Sequence, residues 1–591
     1  MFVSRLRLSV SRSLLVPSRH YTRTATGVAR VATGGTRSDE FAKIASNTSS
    51  TALAVAAMLG TMIGTSSVVY ATSSPPSVTP PTPPSTAPTE VNSDGLSIDS
   101  DDDAHLVNWS RTHEAHPQRL YLPENMEELE ALVQYAHKTG RKLRPCGTFL
   151  SPNGIAGGQD MMVSLAGLDR IKNINLEEQL VTVEAGIVVD QLLKELSKLG
   201  LTLANFSSIK EQQMGGWTQV AAHGTGATLP TVDEMITSMK ILTPGLGLLE
   251  LSNDTNPTLF KLARVGLGCL GIVTELTLSC VPVHKLHETS YVVQSSDAIR
   301  KNHAALLNQY RHVRYMWIPS TDDCVVVVSN PTDATHSMDA NNTENTAIDP
   351  TKPLRELLAE KKPDLNISPN ASFADLRGQL LECGPLDKEW VRQVNRTEVE
   401  FWKQASGERI DWSEEILGFE CGGSQWVFEV CLPTGTLENP DGSDLDFIAE
   451  LKRDLDTAGL PAPSPIEQRW TASSTSPMSP AYSTNANEIF SWVGGIMYMP
   501  EEDDTTRAQV TDKFREYMKV MNALCERYQG HAHWAKIELP QEDDVNYFLN
   551  VMKMKRRLKE KYPVDEFNQA RKQLDPKGIL SNNMMDTLFG R

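Results

Sequence analysis

The sequence predicts a folded body of alternating strands and helices, α/β or α+β, and three stretches carry that prediction. Residues 125–139 (NMEELEALVQYAHKT) put Met126, Leu129, Leu132, Val133 and Ala136 on one helical face. Residues 180–185 (LVTVEA) alternate as a strand does, and a helix at 188–199 follows the turn at Gly186. Further on, a helical PTLFKLARV precedes an alternating IVTELTLSCV. Asn125 with Glu128 three residues later has the form of a capping box, and Gly140 suits the closing cap. A short strand at 142–144 leads into a loop, 145–154.

At 591 residues the chain has room for three or four domain-sized units. Hydrophobic residues at 40% and charged residues at 22% are ordinary for a globular protein. The net charge of −18 argues against a nucleic-acid partner, whose phosphates need neutralising. Eight dispersed cysteines without a CxxC exclude a disulfide framework or a zinc ribbon, and no metal site is read from the sequence.

The N-terminal region reads as targeting. Residues 1–43 hold seven arginines and Lys43 against Asp39 and Glu40, the Arg-rich, acid-poor pattern of a mitochondrial transit peptide. That segment sums to +6, which leaves −24 for the remainder and favours a basic partner. Residues 52–71 (ALAVAAMLGTMIGTSSVVYA) are uncharged and long enough to span a bilayer core as a helix. They read as a transmembrane anchor or as the second half of a cleaved presequence. If the span is retained, the basic flank marks the matrix side and the bulk faces the intermembrane space. Residues 73–89 hold seven prolines, and with the acids at 101–103 they read as a linker over 73–106, ahead of a folded part starting near Val107.

Glycine-rich segments recur at Gly147 and Gly154, Gly215-Gly216, 223–226 (HGTG) and 266–271 (GLGCLG). The last matches G-x-G-x-x-G, but a helix precedes it and a strand follows, the reverse of a dinucleotide fingerprint, so the Rossmann reading fails. Either the loops are ordinary turns or together they cradle one extended phosphate-bearing cofactor.

The ordered segments 151–154 (SPNG), 185–187 (AGI), 205–209 (NFSSI), Gly215-Gly216 and 223–226 resemble the aldonolactone oxidoreductases of the vanillyl-alcohol-oxidase flavoprotein superfamily. Residues 467–470 (EQRW), 533–536 (HWAK) and 574–583 (LDPKGILSNN) extend the resemblance, which runs from Asn108 to Phe589. It implies an α+β fold: a PCMH-type FAD-binding domain of two subdomains over 108–285, a mixed substrate-binding cap over 286–500, and a C-terminal region, 501–591, completing the flavin site. Residues 333–375 read as a polar, loosely structured insertion in the cap.

The resemblance implies FAD as cofactor, with Gly147, Leu150, Ser151, Asn153, Gly154, Ser207, Ser208, Gly215, Gly216, His223, Gly224, Thr225, Gly226, Gly271 and Ile272 as its binding residues. Leu150 stands where covalent members carry a flavin-linked histidine, so noncovalent FAD is implied; a linkage through Cys146 is not expected. Phe149 replaces the family's usual glycine. Glu467 and Arg469, two apart, share one side if the stretch is extended. By resemblance Glu467 is the substrate-hydroxyl ligand and base, and Arg469 and Lys536 are cations facing the reduced flavin. Ser207 aligns with an oxygen gate, glycine in oxidases and alanine in dehydrogenases.

The implied reaction is oxidation of L-galactono-1,4-lactone to L-ascorbate, with cytochrome c as acceptor, at the inner mitochondrial membrane. The resemblance leaves two alternatives, an oxygen-using D-arabinono-1,4-lactone or other aldonolactone oxidase, and a part in assembling respiratory complex I intermediates. A secreted glycoprotein is the bland rival, since N-x-S/T occurs at Asn341, Asn366, Asn370 and Asn395.

Overall fold

The computed structural model describes residues 94–334, 349–419, 424–500 and 503–590. The segments read as transit peptide (1–43), membrane span (52–71) and proline-rich stretch (73–89) lie outside the described residues. Within the described residues no helix is long and apolar enough to cross a membrane.

Ordered structure begins before Val107, which corrects the linker boundary. Asp94 accepts from Arg119 (2.6 Å), Arg141 (3.0 Å) and the Tyr135 hydroxyl (2.8 Å), and Ser100–Asp101 pairs with Arg119–Tyr121. Ile98, fully apolar among those acids, is buried in the first core and ties the segment down.

The helix Met126–Thr139 forms as its pattern predicts. The Asn125 side chain accepts from the Glu128 amide, and Gly140 closes the helix in the left-handed region. Its buried face covers a four-stranded sheet ordered Ser100–Asp101, Arg119–Tyr121, Met161–Ser164, Leu143–Cys146, whose last three strands run parallel. A second sheet, antiparallel, is ordered Gly247–Ser252, Ile236–Thr243, Ile272–Ser279, Leu180–Glu184, Ile171–Asn175. The helix Pro257–Ala263 precedes GLGCLG and the strand Ile272–Ser279 follows it, the order that excludes a Rossmann unit. These two sheets with their helices make the α+β FAD-binding architecture.

The rest of the chain builds an eight-stranded antiparallel sheet ordered Gly407–Trp412, Lys285–Val293, Cys324–Thr332, His312–Trp317, Ile466–Ala472, Glu488–Tyr498, Gln425–Thr436, His531–Ala532. After the edge strand the chain returns: Trp534, Ile537, Leu558, Phe567, Leu580 and Phe589 bury in the core of the first two sheets. The expected loose insertion is partly helical. Lys352–Lys361 is an α-helix because Leu354, Leu357 and Leu358 recur on one face and pack with Val391 and Val394 of the helix Lys388–Ala405; residues 335–348 lie outside the described ones. Asn395 is buried, donating to Pro319 O and Ala462 O, so it offers no glycan acceptor.

Candidate active site

A cavity of about 530 Å3 lies between the two-sheet body and one face of the eight-stranded sheet. The body's loops supply one wall, with Gly147, Leu150, Ser151, Ser207, Ser208, Gly215, Gly216, His223, Gly271 and Ile272. The sheet and the C-terminal return supply the other, with Glu467, Arg469 and Lys536. A Cβ on Gly216 would meet nothing within 4 Å, so this glycine leaves a cradle open on the cavity side, and the residues present fit an extended cofactor.

Five of the predicted cofactor residues do not reach that cavity. Asn153 is buried, and its Nδ2 donates to Trp534 O and Ile537 O, both 2.8 Å, so it holds the HWAK loop in place. Gly154 packs on His113. Gly224 sits where a Cβ would come 2.0 Å from Asn205 Oδ1. The Thr225 hydroxyl donates to Val313 O, and the Gly226 amide donates to Trp470 O at 2.7 Å. The HGTG segment therefore stitches the body to the sheet, because its small residues allow backbone contact across the junction.

The register of the sheet explains the opposite wall. Glu467 is extended in Ile466–Ala472, and Arg469 shares its face. Gly494 lies directly across from Glu467 on one side and from Glu429 on the other. Three strands thus present two carboxylates on one line, with a glycine clearing the space between them.

Glu429 is the residue that sequence reasoning missed. Its Oε2 accepts from Lys536 Nζ at 2.6 Å and faces His223 Nε2 at 3.3 Å, while Oε1 accepts from Arg469 at 2.8 Å. Burial alone would push its carboxyl up; Lys536, His223 and Arg469 outweigh that and hold it well below the ordinary range. A signal was present: Glu429 is the one charge in the apolar run 426–432 (WVFEVCL), and a buried charge requires a partner. His223, stacked on Trp492 at 3.9 Å, is pushed down by burial despite Glu429, with Arg469 and Lys536 reinforcing it. His533 is pushed well below the ordinary range by burial and Lys536.

Other wall residues carry no sequence signal. Arg314 lies 3.7 Å from Glu467 and 3.9 Å over the Phe419 ring; Arg377, Trp402 and Tyr498 complete the sheet side. Ser207 donates to Gln212 Oε1 (2.6 Å) and accepts from Trp217 Nε1 (3.1 Å), which fixes it at the wall. Phe149 adopts φ 58°, a region that glycine enters without strain, and its buried ring holds it there. Burial pushes the Cys146 thiol up to about 12, which leaves it inert.

Fold and site together define an FAD-dependent oxidoreductase of the aldonolactone class. The FAD binding domain family matches residues 117–251, and the D-arabinono-1,4-lactone oxidase family matches residues 373–588. A "L-galactono-1,4-lactone dehydrogenase, mitochondrial" of Arabidopsis thaliana is 46% identical over 505 residues, 83% of this chain and 82% of that protein. The L-gulonolactone oxidase of Bos taurus is 26% identical over 486 residues, covering 82% and 97%. Among solved structures a solvent-stable cholesterol oxidase superposes with a TM-score of 0.66 at 15% identity, covering 85% of this chain and all of that one, a likeness of fold alone. The chain belongs to the L-galactono-1,4-lactone dehydrogenase family of FAD-binding aldonolactone oxidoreductases.

Proposed function

We propose that the protein oxidises L-galactono-1,4-lactone at C2 to L-ascorbate and passes the electrons to cytochrome c. The observation that carries this reading is the convergence of Glu467, Arg469 and Lys536 on one cavity from distant parts of the chain. The names of relatives at 46% identity support the substrate. FAD, which the cavity loops with Leu150, Ser207 and Gly216 would hold without a covalent link, would supply the two-electron acceptor for the hydride at C2. Glu467 holds the C2 hydroxyl and takes its proton; the 2-keto lactone then enolises to the enediol. Arg469 and Lys536 set positive charge where negative charge develops, and fixed charge of this kind favours the transition state over the ground state. Glu429 orients both cations.

Ser207 at the wall supports a dehydrogenase over an oxygen-using oxidase, because its hydroxyl fills space that a glycine would open. The −24 charge beyond residue 43 suits a basic acceptor protein. The Arg-rich start and the relatives' names support a mitochondrial address, and the charge asymmetry about 52–71 supports an inner-membrane position facing the intermembrane space.

The test is anaerobic addition of the lactone to the purified holoenzyme. The flavin absorbance bleaches, and cytochrome c restores it. Acid precipitation releases the pigment into the supernatant, as Leu150 requires. A flavin that the lactone leaves oxidised refutes the reading.

A further inference from the structure

Among the described residues, the three most exposed large apolar side chains are Val545 (99%), Phe548 (80%) and Met552 (68%). Phe548, Leu549 (half exposed) and Met552 share one side of the first turns of the helix Tyr547–Lys561, and Val545 extends this apolar stripe from the turn just before it. The other face of this helix is anchored. Leu558 is buried in the body's core, Met554 packs on that core, Arg557 donates to Gly530 O and Lys561 to Tyr482 O. The stripe is therefore held outward by a fixed helix.

The same outward face turns basic over its last two turns. At about 100° per residue, Arg556 and Lys559 fall within the arc from Phe548 to Leu549, while Lys555 and Lys553 flank it, about 20° and 40° beyond its two edges. The helix carries six cations against one acid, Glu560, in a chain of 74 acids and 56 bases. Lys553 and Lys555 make no ion pair among the described residues, and Arg556 pairs only with Glu560 of its own helix, at 3.5 Å. Asp544 is occupied at the helix start, accepting from the Asn546 amide and Asn550 Nδ2. Glu542 and Asp543 are exposed just ahead of the stripe, so this end stays at an interface and does not sink below it.

We infer that the helix Tyr547–Lys561 docks the protein onto an anionic phospholipid surface. Phe548, Leu549 and Met552 enter the boundary between headgroups and acyl chains. Lys553, Lys555 and Arg556 meet lipid phosphates, their stems lying along the apolar layer. Charge complementarity selects this occupant: an otherwise acidic chain concentrates six cations on one helix beside its most exposed apolar residues, the composition of an interfacial helix. Arg556 pairs with Glu560 and Lys559 with Asp565, but Lys553 and Lys555 enter no ion pair among the described residues.

The test is flotation of the full-length holoenzyme with phosphatidylcholine vesicles, with and without phosphatidylglycerol. Residues 1–43 carry +6 and attract the same vesicles, so the helix contribution is the difference between chains that share them. Wild type binds the anionic vesicles. Lys553→Gln/Lys555→Gln weakens that binding roughly thirtyfold, about 1 kcal/mol per lysine, and Phe548→Ser/Met552→Ser weakens it roughly tenfold or more. Flavin content and lactone oxidation stay unchanged in both, which shows that they fold. Equal flotation of all three chains overturns the proposal. Indifference of wild type to anionic vesicles overturns it in favour of a protein partner. A wild-type dimer that Phe548→Ser/Met552→Ser converts to monomer overturns it in favour of a second copy of the chain.

Discussion

Glu429 Oε2 lies 2.6 Å from Lys536 Nζ, and this pair joins the penultimate strand of the large sheet, Gln425–Thr436, to the returning C-terminal segment at the cavity wall. The same carboxylate receives Arg469, so two cations share one buried counter-charge. Glu429→Gln preserves the volume but leaves both cations without it. The expected cost is about 3 kcal/mol of stability, at the low end for a broken buried pair because Lys536 keeps some access to water. A thermal melt reads the loss. The reduction potential of the bound flavin rises in the same variant, since the positive field beside it is no longer neutralised.

The Glu429 carboxylate also sets a pH limit. Its folded pKa is lowered from 4.5, so its stabilising contribution is complete above that value and is lost only as pH falls below it. Wild type and Glu429→Gln therefore differ in melting temperature at neutral pH and converge in strong acid. A difference that persists unchanged into strong acid contradicts this assignment.

Glu467 and Arg469 point the same way from one strand, 3.4 Å apart, and reach the cavity together. Glu467→Gln and Arg469→Ala each lower kcat/KM by about 10²–10³, the usual effect of removing one charge-stabilising group. Stopped-flow flavin reduction measures it, and flavin content reports that the fold survives. A loss confined to KM would make these residues binding groups only.

Ser207→Gly removes a hydroxyl held by Gln212 and Trp217. The expected outcome is faster flavin reoxidation by oxygen, read as peroxide release, with the lactone half-reaction little changed. Peroxide release equal to that of wild type would remove Ser207 from the account of oxygen exclusion.

His312 Nδ1 lies 2.8 Å from Thr225 O, where the HGTG segment meets the large sheet. Burial pushes its pKa from 6.5 down to about 4. The unfolded chain thus binds the proton first, and stability is present above pH 6.5 and falls as pH drops towards 4. Up to about 3 kcal/mol is at stake over that window. His312→Gln should flatten the melting temperature across it, measured by fluorescence-detected unfolding.

The elements were legible because their signals are local. The cap at Asn125, the alternation at 180–184 and the helix-then-strand order about GLGCLG depend on residues within a few positions, and each forms as read. The loop residues Leu150, Ser207, Gly216 and Gly271 were legible as well, because ordered motifs recur over most of the chain, and all four line the cavity. Asn153 and Gly224 belong to the same motifs yet serve packing, since a motif records that a residue type is required and not which neighbour requires it. Polar composition at 333–375 concealed the three leucines that make a helix of Lys352–Lys361.

By itself the sequence determined the class of fold, several of the loops that line the cavity and the pairing of Glu467 with Arg469 on one face. Only the tertiary structure decided that Glu429 is their counter-charge, that Gly494 clears the space between two carboxylates, and that the stripe at 545–552 faces solvent. The physical reason is range. Helix and strand periodicity is set by neighbours in sequence, whereas a buried charge finds its partners, here at His223, Arg469 and Lys536, wherever the packed chain brings them.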